Sequence, residues 1–346
     1  MMIRSINVLK GGETLAEPIL SDKQDIIIPQ GTILKKEYIP LISSMGISTV
    51  MVEDPYECYE KPNSIMEHRL FEEYVNRIKR IMERHIYQSN NSLRQCEIIA
   101  SQLVKEIQQI SDNIIIDIKE RKSDLYEHTI MVTLLSLILG KKLHYEKERL
   151  YNIALGCLLH DLGLRYITIP YENQDLKDMS PASVFEIKKH TILGFSALEG
   201  ENWIPAISRK MILAHHERAD GNGYPMRQKY KESECKIIQV CDTFDRYICG
   251  IECKRISLSE IIAKLQKGAD SRYDKKIVRM LLDMIATYPV GTTIKTNHEQ
   301  VGVVISQTED KNLPMIMIVD EENCAGKEYK KYNLMQDKNI SIQYVM

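Results

Sequence analysis

Several features that would define other classes of protein are missing from this 346-residue sequence. Its eight cysteines, at 58, 96, 157, 235, 241, 249, 253 and 324, include no C-x-x-C pair. That argues against a zinc ribbon or a small disulfide frame and for reduced thiols in the cytoplasm. The longest apolar stretch, Ile130 to Leu139, falls short of the ~20 residues needed to span a bilayer; it reads as a buried helix, and no membrane span is expected. The first ten residues, MMIRSINVLK, lack an apolar core and a cleavage site, so neither a signal peptide nor an anchor is read there. A net charge of −2 provides no broad basic field, which excludes a general nucleic-acid binder and confines any phosphate grip to a local site. Glycine and proline, 16 and 11 residues, are too few for a long disordered chain.

What is present is an ordinary globular mixture, 44% hydrophobic and 27% charged, long enough for two or three folding units. From Thr14 to Val52 short apolar runs alternate with turn residues: Ile26 to Ile28 before Pro29, a Gly31-Thr32 turn, then Ile47 to Val52. This predicts a small mixed β module over residues 1–60, closed by Pro55 and Pro62. From Ser64 to Leu143 the pattern becomes helical, with a polar break at Gln88 to Asn91 and an apolar stripe at Ile99, Leu103, Ile107 and Ile110. Residues 61–94 are read as a helical connector and 95–290 as an all-helical domain. Its further helices fall at Leu150–Leu159, Ala182–Leu198, Ile207–Ala214, Leu258–Leu265 and Lys275–Ile285. Strand-like runs at Val301–Ile305, Met315–Val319 and Ile340–Val345 predict a second β module over 291–346. The fold class expected is mainly α, with small β-containing modules at both ends.

Six of the nine histidines lie between positions 128 and 216. All but His144 adjoin apolar helical runs: His128, His160, His190, His215 and His216. Asp161 follows His160 directly, and Asp242 follows a second apolar run. A lone histidine on such a face is usually a hydrogen-bonded core residue. A convergent set of imidazoles and carboxylates at the ends of buried helices is costly to desolvate unless coordinated, which points to a metal centre. Consecutive helical side chains diverge by about 100°. His215 and His216 can therefore both ligate only at a helix end or toward different sides of a centre, and a two-metal site suits that geometry. Asp161, with two oxygens, is the natural bridge. Asp124 lies one helical turn before His128 and could enlarge the site. Competing motifs fail: Asp220 stands where H-E-x-x-H needs its second histidine, Gly140-Lys141 lacks the upstream glycine of a P-loop, and Lys231 occupies the closing position of an EF-hand.

The segments His160-Asp161-Leu162-Gly163, His190-x3-Gly194, and His215-His216-Glu217 followed by Asp220-Gly221-Asn222-Gly223-Tyr224-Pro225 resemble, in order and spacing, the HD-GYP branch of the HD-domain phosphohydrolases. The resemblance spans roughly residues 110–290. It implies an all-helical HD-domain bundle that cleaves cyclic di-GMP to pGpG or GMP, or acts on a related cyclic dinucleotide, using two or three divalent ions of iron or manganese. Carried over by position, it implies that His128, His160, Asp161 and Asp242 hold one ion and Asp161, His190, His215 and His216 the second, with Asp124 where some members add a third. Two such ions would activate a bridging water and neutralise phosphate charge. Tyr224, on a loop whose Gly221 and Gly223 permit positive φ, is expected to line the active site.

The pattern departs from the family at two cations. Leu164 replaces the usual lysine of HD-x-G-K, and Ile251 stands where an arginine is expected, leaving Lys254 as the retained phosphate contact. Arg165 and Arg246 are candidates for compensation. Charged hydrogen bonds of this kind are worth about 1.5–3 kcal/mol each. Two alternatives to a cyclic di-GMP phosphodiesterase therefore stay open: a weakened member that binds metal and a cyclic dinucleotide as a signalling module, and an enzyme for a different cyclic dinucleotide. A protein partner or a homodimer, through the connector or the N-terminal module, also stays open.

Overall fold

The computed structural model of the chain describes residues 2–6, 9, 11–20, 26–47, 49–53, 62–88, 91–119, 121–319 and 330–346. Pro55 and the Ser89-Asn90 part of the expected break lie outside them. Near the N-terminus β1 (Met2–Ser5), β2 (Ile19–Leu20), β3 (Ile26–Ile28), helix α1 (Tyr38–Ser44) and β4 (Thr49–Val52) form two antiparallel pairs, β1 with β4 and β2 with β3. The expected Gly31 turn has a left-handed backbone, φ 79°, which glycine adopts without a Cβ penalty.

The middle of the chain is helical: α2 (His68–Gln88), α3 (Cys96–Gln108), α4 (Leu125–Lys142), α5 (Lys147–Leu159), α6 (Pro181–Lys188), α7 (His190–Ser196), α8 (Ala206–Ala214), α9 (Ser233–Cys249), α10 (Leu258–Gly268) and α11 (Lys275–Asp283). Ile99, Leu103 and Ile107 of α3 are fully buried, as their spacing predicts. Helix α4 sits at the centre, packed on α5 and α9, and Leu134, Leu135, Leu137 and Leu139 are all buried because neighbours cover it on several sides. The stretch expected as one helix from Ala182 to Leu198 is two, broken at Lys189, so that His190 opens α7. Among the described residues no helix is long and apolar enough to cross a membrane.

Strands β5 (Thr293–Thr296), β6 (Val301–Ser306), β7 (Met315–Ile318), β8 (Lys331–Asn333) and β9 (Ile342–Val345) form an antiparallel sheet ordered β8-β7-β6-β5-β9. Successive side chains of a strand point to opposite faces, and here both faces are covered. Val303, Ile305, Met317 and Val319 share a core with Leu15, Leu34, Ile42 and Val52 of the N-terminal module. Val304, Ile316 and Ile318 pack with Ile294 and Leu334 on the other side. The two β modules, at opposite ends of the sequence, therefore pack as neighbours, and the Ser5 N–H donates to Met346 O. The buried Asp117 carboxylate fastens this body to the helices, accepting from the backbone N–H of Asn63 and Val290 and from Gln307 Nε2 at 2.7–2.9 Å.

Two glycines set how closely the site-bearing segments approach. A Cβ on Gly163 would lie 1.8 Å from His190 O and 2.8 Å from Gly194 N, and one on Gly223 would lie 2.4 Å from Glu217 Cα. The neighbours are backbone and cannot rotate away. Gly163→Ala is expected to destabilise the protein by ~3 kcal/mol or more, read by urea or thermal unfolding. Gly200→Ala, where nothing lies within 4 Å, should stay within about 0.5 kcal/mol of the parent.

Candidate metal centre

The last carbonyls of a helix have no intrahelical partner, and three of the histidines use them. His160 Nδ1 bonds Cys157 O at 2.7 Å, His190 Nδ1 bonds Ile187 O at 2.8 Å, and His215 Nδ1 bonds Ile212 O at 2.7 Å. In each case a carbonyl three residues back accepts the Nδ1 proton, which leaves Nε2 to face inward. Of the two arrangements that spacing left open for the adjacent pairs, a helix end is the one found: His160 and His215 cap the C-termini of α5 and α8. Asp161 begins the 3-10 turn Leu162–Tyr166.

His128, in the first turn of α4, is oriented by a carboxylate instead. Its Nδ1 lies 2.8 Å from Asp245 Oδ2, and Asp245 is itself bound by Arg121. Asp245 was not among the residues singled out in the sequence, although it lies one turn beyond Asp242 on α9. The sequence reading did not assign that helix at all: its run Ile237-Ile238-Gln239-Val240-Cys241 is rich in β-branched residues and has no clear period.

Among the described residues the side chains converge in two four-membered sets, His128–His160–Asp161–Asp242 and Asp161–His190–His215–His216, with a smaller group, His128–Asp245–Cys249, behind the first, all buried. Asp161 joins the two larger sets. Its Oδ2 lies 3.2 Å from His160 Nε2 and 3.5 Å from His128 Nε2; its Oδ1 lies 3.3 Å from His215 Nε2 and 3.5 Å from His190 Nε2. Asp242 lies 3.3 Å from His128 Nε2 through Oδ1 and 3.5 Å from His216 Nδ1 through Oδ2. Metal–ligand bonds of about 2.1 Å put neighbouring octahedral ligand atoms about 3.0 Å apart, and the spacings here lie close to that. Asp161 Oδ1 and both Asp242 oxygens are buried without a hydrogen-bond partner, a cost that a cation removes.

The contact between His190 Nε2 and His215 Nε2, 3.0 Å, carries the same message. Both rings give their Nδ1 proton to a carbonyl, so two lone pairs meet unless a cation or a proton stands between them. Burial and the neighbouring His216 push His215 down to about 3. Burial also pushes His190 down, but the Glu252 carboxylate outweighs it and raises the group to about 9. Without metal, therefore, His190 keeps a proton directed at His215. Burial raises the Asp161 carboxyl, yet the surrounding imidazoles, His160 foremost, hold it well below the usual carboxylate range.

The remaining sequence candidates are placed less centrally. Asp124 caps α4, its Oδ1 accepting from the N–H groups of Tyr126 and Glu127 at 2.9 Å, and it joins neither histidine set. Lys254 is exposed, and Leu164 and Ile251 are buried in the core. Arg165 reaches Glu83, 3.5 Å away, rather than the centre. Arg246 does enter it, with Nη1 3.3 Å from His216 Nδ1 and 3.4 Å from Glu252 Oε2. Tyr224 stacks on His216 at 4.7 Å, and its buried hydroxyl has no partner. Glu217 holds that loop, accepting from the N–H of Met226 at 2.6 Å and of Gln228 at 3.1 Å.

Two outcomes follow for metal binding. A ligating imidazole must be neutral, and His190, raised to about 9, is protonated at pH 7, so loading should release protons. Calorimetric titration in two buffers of different ionisation enthalpy should show net release at pH 7 that shrinks toward pH 9; a buffer-independent heat would contradict the arrangement. Asp245→Asn should weaken metal binding about 10–100-fold by loosening His128, read by chelator competition.

Residues 112–277 match the family model described as HD domain. Similar proteins include the cyclic di-GMP phosphodiesterase PA4108 of Pseudomonas aeruginosa, 26% identical over 185 residues that cover 53% of this chain and 44% of that protein. Another is the cyclic di-GMP phosphodiesterase PdeB of Borreliella burgdorferi, 24% identical over 194 residues, 55% of this chain and 50% of that protein. The match thus spans about half the length of these curated relatives. Among solved structures, an HDG"Y"P protein from Bdellovibrio bacteriovorus superposes with a TM-score of 0.54 at 19% identity, over 81% of this chain and 98% of that one, which establishes likeness of fold. With its paired histidine–aspartate sets and its Asp220–Pro225 loop, the helical segment of this chain is thus similar to HD domains over residues 112–277, and its motifs are of the HD-GYP type.

Proposed function

We propose that the chain is a metal-dependent phosphodiesterase that hydrolyses cyclic di-GMP to pGpG and/or GMP in bacterial second-messenger signalling. The observation that carries this reading is Asp161, a single buried carboxylate whose two oxygens face two separate imidazole sets. His128, His160, Asp161 and Asp242 would hold one ion, and Asp161, His190, His215 and His216 the other. The relatives named as cyclic di-GMP phosphodiesterases support the choice of substrate. The mixed nitrogen and oxygen donor set suits iron or manganese. Two such ions would supply a water of lowered pKa and positive charge against the phosphate oxygens.

The chain's own groups do the rest. Burial pushes the Tyr224 hydroxyl well above its ordinary value, so it stays protonated and can donate to a phosphate oxygen. Arg246 brings a guanidinium to the inner wall, and Lys188 Nζ sits 5.2 Å above the Tyr224 ring. These cations stand in for the grips absent at Leu164 and Ile251. We assign catalysis to residues 95–290 and read 1–60 and 291–346 as flanking modules on the connector 61–94, in a chain whose six described cysteines are free thiols suited to the cytoplasm.

Purified chain loaded with Mn2+ or Fe2+ should convert cyclic di-GMP to pGpG or GMP, and a chelator should abolish turnover. Asp161→Asn should lose bound metal and cut turnover roughly a hundredfold or more. A fully metal-loaded chain that forms no product would overturn the assignment.

A further inference from the structure

Glu252 is a buried acid that the motif does not account for. Two residues after Gly250 turns the chain out of α9 with φ 79°, Glu252 itself adopts φ 54°, a left-handed backbone that a residue with a Cβ rarely takes. Its N–H donates to Tyr171 O at 2.9 Å, and Asn173 N–H donates to Gly250 O at 2.6 Å, so the segment is pinned on both sides. The buried side chain lies beside His190 and His216. Oε1 is 3.1 Å from His190 Nδ1, but that nitrogen gives its proton to Ile187 O. Oε2 is 2.9 Å from His216 Nε2 without hydrogen-bond geometry. The hydrogen bond that the carboxylate does accept comes from Arg246 Nη1, 3.4 Å from Oε2.

Arg246 needs such a partner. It stands one helical turn beyond Asp242 on α9, so both side chains leave the helix on one face, and its Nη1 is 3.3 Å from His216 Nδ1. A guanidinium in that place faces the side chains that would hold two divalent ions, and like charges repel strongly where water is excluded. A carboxylate fixed by its own backbone keeps the guanidinium from being driven outward. The guanidinium Nε is buried without an acceptor, and so is the hydroxyl of Tyr224, whose ring stacks on the same His216. Unmatched buried donors are costly, and a phosphate oxygen is the acceptor that suits a guanidinium and a hydroxyl together.

We infer that Glu252 is a positioning residue that acts through Arg246, holding the guanidinium beside His216 so that it and the Tyr224 hydroxyl bind a phosphate oxygen of the substrate. The inference rests on the phosphodiesterase reading above. Glu252 itself touches neither ion nor substrate. Its charge cancels that of Arg246, so the pair brings a directed donor to the inner wall without adding net positive charge where the ions bind.

The test is a double-mutant cycle on the metal-loaded full chain with cyclic di-GMP. Arg246→Ala and Glu252→Ala should each lower kcat/KM by on the order of ten- to a hundredfold. The double variant should fall no further than Arg246→Ala alone, because the carboxylate acts through the guanidinium. Added guanidinium ion should restore part of the activity of Arg246→Ala, where Glu252 remains to seat it, and none in the double variant. Circular dichroism and bound Mn2+ check the fold and loading of each protein, and Glu252→Gln, which keeps the volume but not the charge, repeats the cycle with the least disturbance to packing. Losses that multiply in the double variant, or rescue that does not need Glu252, would overturn the positioning role and leave the proposed function standing. A metal-loaded parent that forms no product would overturn both.

Discussion

The structure is organised around buried lone pairs crowded together with too few protons to satisfy them. Asp161 and Asp242 present buried oxygens without donors, and His190 and His215 point nitrogen at nitrogen across 3.0 Å. Burying an unpaired carboxylate costs several kcal/mol, and a 346-residue chain with ordinary marginal stability carries several at one point. Only positive charge placed among them makes such a core tenable, and the rest of the helical domain is arranged to hold these groups within reach of one another.

Helix ends do the holding. A carbonyl at the end of α5, of α6 and of α8 takes the Nδ1 proton of a histidine, so satisfying the helix terminus and fixing the tautomer are one hydrogen bond. The arrangement works only if the segments carrying His160 and His190 nearly touch, and Gly163 against the His190 carbonyl and Gly194 allows that. The glycines of the H-D-x-G and H-x3-G patterns are thus packing requirements as much as loop residues. Glu217 plays a comparable part for the Asp220–Pro225 loop: its carboxylate is spent on two backbone N–H groups, which keeps the Tyr224 ring against His216.

These local relations explain what could be read in advance. Histidines abutting apolar runs, glycines at fixed offsets and adjacent polar pairs are short-range patterns, so the candidate ligands were legible in the sequence, while their division into two sets came from the resemblance to HD-GYP proteins. Asp245 and Glu252 were not legible, because each touches a side chain more than 60 residues away in sequence, His128 for one and His190 for the other. Helix α9 escaped because its apolar run is β-branched, and β5, with the sequence TIKT, is too short to show alternation. The continuous apolar text of β6 signals burial on both faces, but nothing in it says that one face belongs to the N-terminal module.

That shared core bears on the centre through a chain of contacts. Asn173 Nδ2 and Arg255 Nη2 both donate to Met45 O, the C-cap of α1, at 3.1 Å. The same Asn173 takes the Arg255 N–H on Oδ1 at 3.1 Å and gives its own N–H to Gly250 O. The segment that aims Glu252 at His190 and His216 is therefore clamped from outside by the N-terminal module. Arg255 Nη1 also reaches Arg121 O at 3.4 Å, and Arg121 grips the Asp245 that orients His128. Both halves of the centre are thus tied to the position of one carbonyl on α1, and a shift of that helix by a hydrogen-bond length would have to be absorbed by Asn173 and Arg255 or passed on to Asp245 and Glu252.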